Sequence, residues 1–237
     1  MSSSRSSRNP VANKLLAAIP RGEYSRLLPH LELVSLPLKQ VLHEADEPIE
    51  YAYFPLTAVV SVLTLMSDGE AIEAATVGNE GMVGIPAVLG DNIASLTAMV
   101  QREDSGMRMK ARKLKTEFQR GGVLQSLLLR YTQAQHAFVS QNVVCNRLHP
   151  VDERLARWLL LFCDRVGSNE LLLTQESISK MLGVRRPGVT EAAYRLQQAG
   201  VIRYSRGKLT ILNRQALEAA SCSCYGIING EYARLLA

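Results

Sequence analysis

The residues best suited to chemistry in this sequence lie between positions 185 and 208, where basic and polar side chains recur at helical spacing. This stretch contains six Lys or Arg residues and a single acidic residue. Arginine can donate two hydrogen bonds to guanine, a carboxylate can accept one from cytosine, and threonine can bind a phosphate or touch a thymine methyl group. The residues that we predict to contact DNA are Arg185, Arg186, Thr190, Glu191, Tyr194, Arg195, Arg206 and Lys208.

Two short helices and a hairpin are predicted to position these side chains. Thr174 can cap a first helix, and Gly183 allows a tight turn after it. A second helix over about residues 185–199 has Pro187 in its first turn, where the missing N–H is tolerated. Two short strands joined by a basic turn then form a wing. An ordinary helical hairpin is the alternative, but the wing and the basic charge favour a winged helix-turn-helix whose second helix enters the major groove.

The charge distribution also favours a nucleic-acid partner. The formal net charge is +5, and residues 1–146 hold equal numbers of basic and acidic side chains. Residues 147–237 hold 13 Lys or Arg and 8 Asp or Glu, so the whole excess lies in the C-terminal part. A solvated basic surface would give the same count, and the position of the charges on the predicted helix and wing therefore decides for double-stranded DNA.

The N-terminal half has a different pattern. Helical spacing of apolar residues from Val11 to Leu28 predicts short helices after a polar tail that we expect to be disordered. Short β-type runs then follow from Leu33 to Met109, separated by turn signals such as Ser67-Asp68-Gly69. These runs predict an all-β sandwich or barrel.

A long helix is predicted from about Val123 to Cys145, and its apolar residues recur every seven positions. Such a seam favours packing of one helix against another, across a dimer. The alternative is an ordinary helix that lies on the chain's own β unit. The predicted dimer seam consists of Leu124, Leu128, Tyr131 and Phe138.

The remaining reactive side chains do not form a recognisable site in the sequence. The four cysteines, Cys145, Cys163, Cys222 and Cys224, match neither a paired CxxC zinc site nor a disulfide framework, so we expect inert, reduced thiols and no metal. The first residues lack the apolar segment of a secretory signal, and no run of eighteen apolar residues exists. These features predict a cytoplasmic protein that does not bind a membrane.

An enzyme is the competing functional class. A β-barrel with His43 and Glu44 could hold a cupin-like metal site, fused to a nucleic-acid-binding module. The number of ligands is too low for such a site, and no nucleophile, base and orienting acid can be assembled from local motifs. We therefore predict no catalytic residues.

Three stretches give the sequence a resemblance to the Crp/Fnr superfamily of transcription regulators, which covers residues from about Leu33 to the C-terminus. They read VGNEGMVGI, HPVDERLARWLL and LTQESISKMLGVRRPGVTEAAYRLQQAGVI. The resemblance implies an α+β fold with an N-terminal tail and short helices (1–30), a double-stranded, cyclic-nucleotide-binding-like β-roll (31–122), a dimerisation helix (123–146) and a winged helix-turn-helix domain (147–237). It implies a homodimer that reads a palindromic operator, with RNA polymerase as a further candidate partner.

The resemblance also assigns roles to individual residues. Arg186 and Glu191 correspond to base-contacting positions, whereas Pro187 replaces a residue that often makes a polar base contact. We therefore expect a sequence specificity that differs from that of the best-known members.

The effector site departs from the family pattern. Its residues would be Gly84, Ile85, Ser95 and Leu96, and the glutamate and arginine that the family places there for a cyclic nucleotide are missing. A buried phosphate without a cation is poorly compensated, so we do not expect cyclic AMP to bind. The N-terminus lacks the cysteine cluster with which some members hold an iron–sulfur centre. The β-roll then senses another, unknown effector or acts as a scaffold.

Overall fold

Short strands rich in β-branched residues build the N-terminal half of the computed structural model, which describes residues 12–66 and 71–236. Two antiparallel sheets face each other, with strand orders β1-β7-β3 and β2-β6-β4-β5. Their strands are β1 (Glu32–Leu36), β2 (Val41–His43), β3 (Tyr51–Pro55), β4 (Val59–Leu65), β5 (Ala71–Val77), β6 (Thr97–Arg102) and β7 (Asp104–Lys110). The predicted β-roll is thus confirmed. The predicted turn at Ser67-Asp68-Gly69 lies outside the described residues.

Short helices precede the roll: α1 (Lys14–Ala17), α2 (Arg21–Leu27) and a 3-10 turn (Leu28–His30). Leu15, Leu16 and Ile19 are buried in the core of the roll. The buried Asn13 side chain donates hydrogen bonds of 2.9 Å to the carbonyls of Pro55 and Gly81. This segment is therefore part of the folded domain, whereas Val11 and the polar tail lie outside the described residues.

Three helices follow or interrupt the strands: α3 (Pro86–Leu89), α4 (Ala111–Gln119) and the long α5 (Gly122–Leu148). A helix begins with N–H groups that have no partner within the helix. At α5 the Glu23 carboxylate accepts from two of them, Val123 at 3.0 Å and Leu124 at 2.8 Å. Helix α2 therefore fixes the start of α5 on the β-roll.

The predicted dimer seam on α5 is wrong. Leu124, Leu128, Tyr131 and Phe138 are at most 3% exposed, because they pack against the chain's own β-roll and C-terminal helix. The Tyr131 hydroxyl donates 2.9 Å to the carbonyl of Met82 in the roll. Residues that the same chain already covers cannot line an interface with a second copy, so the alternative, packing on the chain's own β unit, is correct for this side of the helix.

The C-terminal part consists of helices around a small sheet. Helix α6 (Val151–Val166) ends at Gly167, which is left-handed with a φ of 66°. The sheet has the strand order β8-β10-β9. The other elements are β8 (Glu170–Leu172), α7 (Gln175–Leu182), α8 (Arg186–Gln198), β9 (Ile202–Ser205), β10 (Lys208–Ile211), α9 (Arg214–Ala220) and α10 (Cys224–Leu236), and α10 packs back on α5. The predicted winged helix-turn-helix is confirmed.

Buried polar contacts join α6 to the β-roll. The Trp158 indole N–H donates 3.0 Å to the Glu73 carboxylate, and Arg165 pairs with Glu80 at 2.8 Å. Burial raises the pKa of Glu73, against the lowering effect of hydrogen bonds from Ser61, Thr76 and Trp158. Because a buried charge is costly without its partner, these contacts favour one arrangement of α6 on the roll.

Within residues 12–66 and 71–236, no helix combines the length and the apolar character needed to cross a membrane.

Candidate DNA-binding face and effector cavity

Helix α7 and the turn after it set the position of α8. The Thr174 hydroxyl accepts from the Ser177 N–H at 3.0 Å, and the Ser177 hydroxyl accepts from the Thr174 N–H at 3.1 Å. This reciprocal cap fixes the first turn of α7. Gly183 then adopts a φ of 61°, which a side chain disfavours, and lets the chain turn sharply into α8.

Helix α8 has one buried and one exposed side. Its buried side consists of Val189, Ala192, Ala193 and Leu196, and the two alanines permit close packing on α6 and α7. Every residue predicted to contact DNA from this helix is exposed: Arg185, Arg186, Thr190, Glu191, Tyr194 and Arg195. The structure therefore brings these six side chains onto one open surface, which we call the α8 face.

Three contacts organise the α8 face. Arg195 pairs with Glu191 at 2.8 Å, one helical turn apart, and lies 3.5 Å from Asp152 of α6. The Thr190 hydroxyl donates 2.9 Å to the amide oxygen of Gln175. Sequence reasoning missed Gln175, since nothing in its local pattern shows that the first residue of α7 touches the middle of α8.

The wing is the hairpin of β9 and β10. Arg206 and Gly207 both have positive φ, 50° and 78°, which is the geometry of a two-residue turn that matches strand twist. Arg206 and Lys208 are exposed near the tip, and Lys208 pairs with Glu170 of β8 at 2.9 Å. Arg206 and Lys208 thus lie at the tip of the hairpin, outside α8 itself.

The four predicted effector residues, Gly84, Ile85, Ser95 and Leu96, all line one cavity of about 330 Å³ in the β-roll. Gly84 has a φ of 98°, and a Cβ there would meet the His43 ring at 2.9 Å. Glycine at this position therefore keeps the chain close to the imidazole at the cavity wall.

Residues 153–220 match the family of Crp-like helix-turn-helix domains. FixK2 from Bradyrhizobium japonicum is similar in structure over 81% of this chain and 98% of its own, with a TM-score of 0.70 and 20% sequence identity. The chain has the Crp/Fnr fold. The predicted resemblance to this superfamily is thus confirmed, and the C-terminal third is a Crp-like helix-turn-helix domain.

Two further solved structures share the Crp/Fnr fold. A CRP-family transcriptional regulator from Thermus thermophilus is 19% identical, with a TM-score of 0.64 over 79% of this chain and 96% of its own. The c-di-GMP-responsive global regulator CLP from Xanthomonas campestris is 13% identical, with a TM-score of 0.63 over 81% and 99%. No curated protein sequence matches the chain.

The cavity in this Crp/Fnr fold is apolar. Its described lining residues include neither Arg nor Lys, and most carry hydrocarbon side chains. His43 is buried, and its ring bonds the Tyr51 carbonyl at 2.7 Å. Burial lowers the pKa of His43, and the bond to Tyr51 only partly opposes this shift. The imidazole is therefore neutral at pH 7, and the cavity offers no permanent positive charge from its described lining.

Helix α5 forms one wall of the cavity through Tyr131, Thr132, Gln135, His136 and Val139. His136 and Val139 are also exposed at the protein surface. These two residues therefore lie where the cavity wall meets the solvent-exposed side of α5.

The metal-enzyme alternative has no support in the geometry. His43 and Glu44 are neighbours on the chain, but His43 points into the roll and Glu44 is exposed. Across the described parts of the chain, neither residue belongs to a group with the spacing of metal ligands.

Sequence reasoning missed a cluster at the end of α5. Cys145, His149, Cys222 and Cys224 approach one another so closely that their ligand atoms all lie within 4.8 Å. Folding brings together two pairs that are more than 70 positions apart, and neither pair alone has a recognisable metal-binding motif. The fourth cysteine, Cys163, is buried elsewhere in the core of the Crp-like domain.

Proposed function

We propose that this protein is a transcription regulator that binds a palindromic DNA operator as a homodimer. The observation that carries the proposal is the α8 face, an exposed set of basic and polar side chains beside a basic wing in a Crp-like domain. In a helix-turn-helix of this kind the N-terminal residues of the second helix lie nearest the base edges. Arg186 and Glu191 then read bases, while Arg206 and Lys208 of the wing bind phosphates.

The pair between Arg195 and Glu191 has a place in this mechanism. In the free chain Arg195 neutralises the only acidic side chain of the α8 face. On binding, Arg195 can turn towards a phosphate, which leaves the Glu191 carboxylate free to accept from a cytosine amino group. A carboxylate disfavours approach to the acceptor groups of other bases, so Glu191 contributes to specificity more than to affinity.

The dimer forms through the exposed side of α5. Leu129, His136 and Val143 recur every seven residues, and Val139 lies between them. Leu129 is 48% exposed and Val143 is 67% exposed, and with Val139 they form a row of exposed apolar side chains rather than a single one. We call these four residues the α5 stripe. Leucine and valine side chains at heptad spacing on an exposed helix, with a histidine between them, suit parallel pairing with the same helix of a second copy.

The β-roll cavity takes a small, neutral and largely apolar effector. Its size lies near the lower limit of ordinary ligand pockets, and its hydrocarbon lining would bury such a molecule favourably. A cyclic nucleotide would leave its phosphate without a cation. Because His136 and Val139 belong both to the cavity wall and to the α5 stripe, an effector in the cavity changes the packing of the two α5 helices.

Selection from random double-stranded DNA tests the central proposal. The enriched sites should be inverted repeats whose half-sites are about 10 bp apart or a multiple of that distance, since two-fold symmetry presents two α8 helices to the DNA. Sedimentation of the free protein should show a dimer. Failure to enrich any sequence, or enrichment of sites without two-fold symmetry, would contradict the proposal.

Calorimetry tests the effector class separately. Titration with cyclic AMP at micromolar concentrations should give no saturable heat, whereas a neutral apolar probe of suitable size should bind. Saturable binding of cyclic AMP that also raises DNA affinity would overturn the assignment of the cavity, but it would leave the DNA-binding proposal intact.

A further inference from the structure

The cysteine and histidine cluster lies at the junction of three elements. Cys145 is in the last turn of α5, and His149 follows the end of that helix. Cys222 lies between α9 and α10, and Cys224 is the first residue of α10. The sulfur atoms of Cys145 and Cys222 are 3.5 Å apart, and the sulfur of Cys224 is 3.5 Å from Nδ1 of His149.

We propose that these four side chains bind one Zn²⁺ ion in a tetrahedral Cys₃His site. Zinc bonds of about 2.3 Å to sulfur and about 2.0–2.1 Å to nitrogen place tetrahedral ligand atoms about 3.5–3.8 Å from one another. The two 3.5 Å distances agree with this geometry. The remaining distances between ligand atoms are at most 4.8 Å, so small side-chain rotations would complete the site. A group this compact fits a single ion.

The surroundings suit a closed, structural metal site. The three cysteines are buried and His149 is half-buried, so four protein ligands would exclude water from the ion. Gln141 directs its amide N–H at the sulfur of Cys224, at 3.1 Å. Hydrogen bonds of this kind orient a thiolate ligand and stabilise its charge.

The charge of the loaded site is also compensated. Zinc with three thiolates and a neutral imidazole carries one net negative charge. The buried guanidinium groups of Arg154 and Arg157 both interact electrostatically with Cys145. Arg157 is held in place by Asn142 on α5, at 2.6 Å. Among the described residues, the hydrogen-bond partners of Arg154 and Arg157 are the Leu182 carbonyl and the Asn142 amide, and a loaded site would add a negative charge beside both guanidinium groups.

The position of the site gives the ion a structural role. Pro150 separates α5 from α6, so the chain changes direction immediately after His149. A metal that joins this corner to the start of α10 would cross-link the helix of the β-roll to the C-terminal segment of the Crp-like domain. Such an ion stabilises the folded chain because its site does not exist in the unfolded state.

Metal content and cobalt spectroscopy of the full-length protein test the proposal. Protein purified under reducing conditions should contain one zinc per chain. Metal-free protein reconstituted with Co²⁺ should show a thiolate-to-cobalt charge-transfer band and the intense visible bands of tetrahedral coordination. At a free zinc concentration 100 times the dissociation constant, the melting temperature of the metal-free protein should rise by roughly 5–10 °C.

Variants locate the ion. Cys222→Ser and Cys224→Ser should lose stoichiometric zinc and the charge-transfer intensity, whereas Cys163→Ser should retain both, since it removes a buried thiol outside the cluster. If the cluster variants do not fold, the cobalt spectrum of the wild type still shows whether thiolates bind the metal in a tetrahedral site.

Three results would overturn the proposal. One is reduced wild-type protein that holds no stoichiometric zinc even after reconstitution. Another is an octahedral cobalt spectrum, and the third is equal metal loss in Cys163→Ser. A Cys145–Cys222 disulfide in protein that takes no zinc after reduction would replace the metal site with a redox pair.

Discussion

Helices α5 and α8 both bury one apolar side, but their exposed sides differ in chemistry. Helix α8 presents arginines, a threonine and a carboxylate, with Tyr194 as its large exposed ring. Helix α5 presents Leu129, Val139 and Val143. Hydrogen-bonding and charged groups remain solvated until a polar partner replaces the water, whereas exposed apolar groups are favourably covered by other apolar groups.

This difference indicates two kinds of partner for the two helices. The α8 face is suited to the grooves and phosphates of DNA, and the α5 stripe is suited to another apolar helix. The buried sides serve folding in both cases. Substitutions on the α8 face, on the α5 stripe and on the buried sides should therefore impair DNA binding, dimerisation and folding separately.

The largest effect is expected on the buried side of α5. Leu128→Ala should lower the free energy of unfolding by about 2–5 kcal/mol, because it leaves a cavity against the β-roll. The protein that remains folded should still be dimeric. Urea unfolding measures the first quantity and sedimentation the second, and a folded but monomeric Leu128→Ala protein would restore this side of α5 as the dimer interface.

Substitution of the α5 stripe should break the dimer without unfolding the chain. Leu129→Glu together with Val143→Glu places like charges at the helix pair, and affinity for the full operator should fall about 100-fold as the two half-sites cease to be bound together. Gln40→Glu with Gln119→Glu adds the same charge at exposed positions outside α5 and serves as the control. An unchanged dimer in the stripe variant would show that the copies meet elsewhere.

The wing should affect salt dependence. Lys208→Ala should weaken binding to preferred and random DNA alike, and it should reduce the slope of log affinity against log salt by about one for each phosphate that the protein no longer neutralises. Lys113→Ala, on an exposed position of α4, is the matched control. A change in sequence preference without a change in slope would assign Lys208 to base reading instead.

The smallest effect concerns the stability of the α8 face. Arg195→Ala should change the free energy of unfolding by less than about 0.5 kcal/mol, because its pair with Glu191 is exposed and one helical turn apart. Thermal and urea unfolding would check this. A loss of several kcal/mol would mean that the pair supports the fold rather than the recognition of DNA.

The sequence predicts α8 well because its two sides differ in polarity. Its charged residues lie on one side and Val189, Ala192 and Leu196 on the other, so only one orientation of the helix buries its apolar side. Helix α5 is apolar on both sides, so the same seven-residue spacing fits the buried residues Leu124, Tyr131 and Phe138 and the exposed residues Leu129 and Val143. Periodicity alone could not show which side faces the roll.

Other features depend on contacts that are distant in sequence. The resemblance to the Crp/Fnr superfamily predicts the four cavity residues, and the structure brings them together. The hydrogen bond between Thr190 and Gln175 and the contact between Cys145 and Cys222 form only when separate elements pack together. The sequence signal for the central strand β7 is weak, because its sequence, DSGMRMK, alternates apolar and polar residues only over its last four positions and begins with turn-forming residues.

The most direct test of the account is the binding of Arg186→Ala to its selected operator and to random DNA over a range of salt concentrations. If the first turn of α8 reads bases, the variant should lose about 1–3 kcal/mol on the operator and little on random DNA. The ratio between the two affinities should therefore shrink, while the salt slope on random DNA stays close to that of the wild type. An Arg186→Ala protein with an unchanged ratio would contradict the assignment of the α8 face to base recognition.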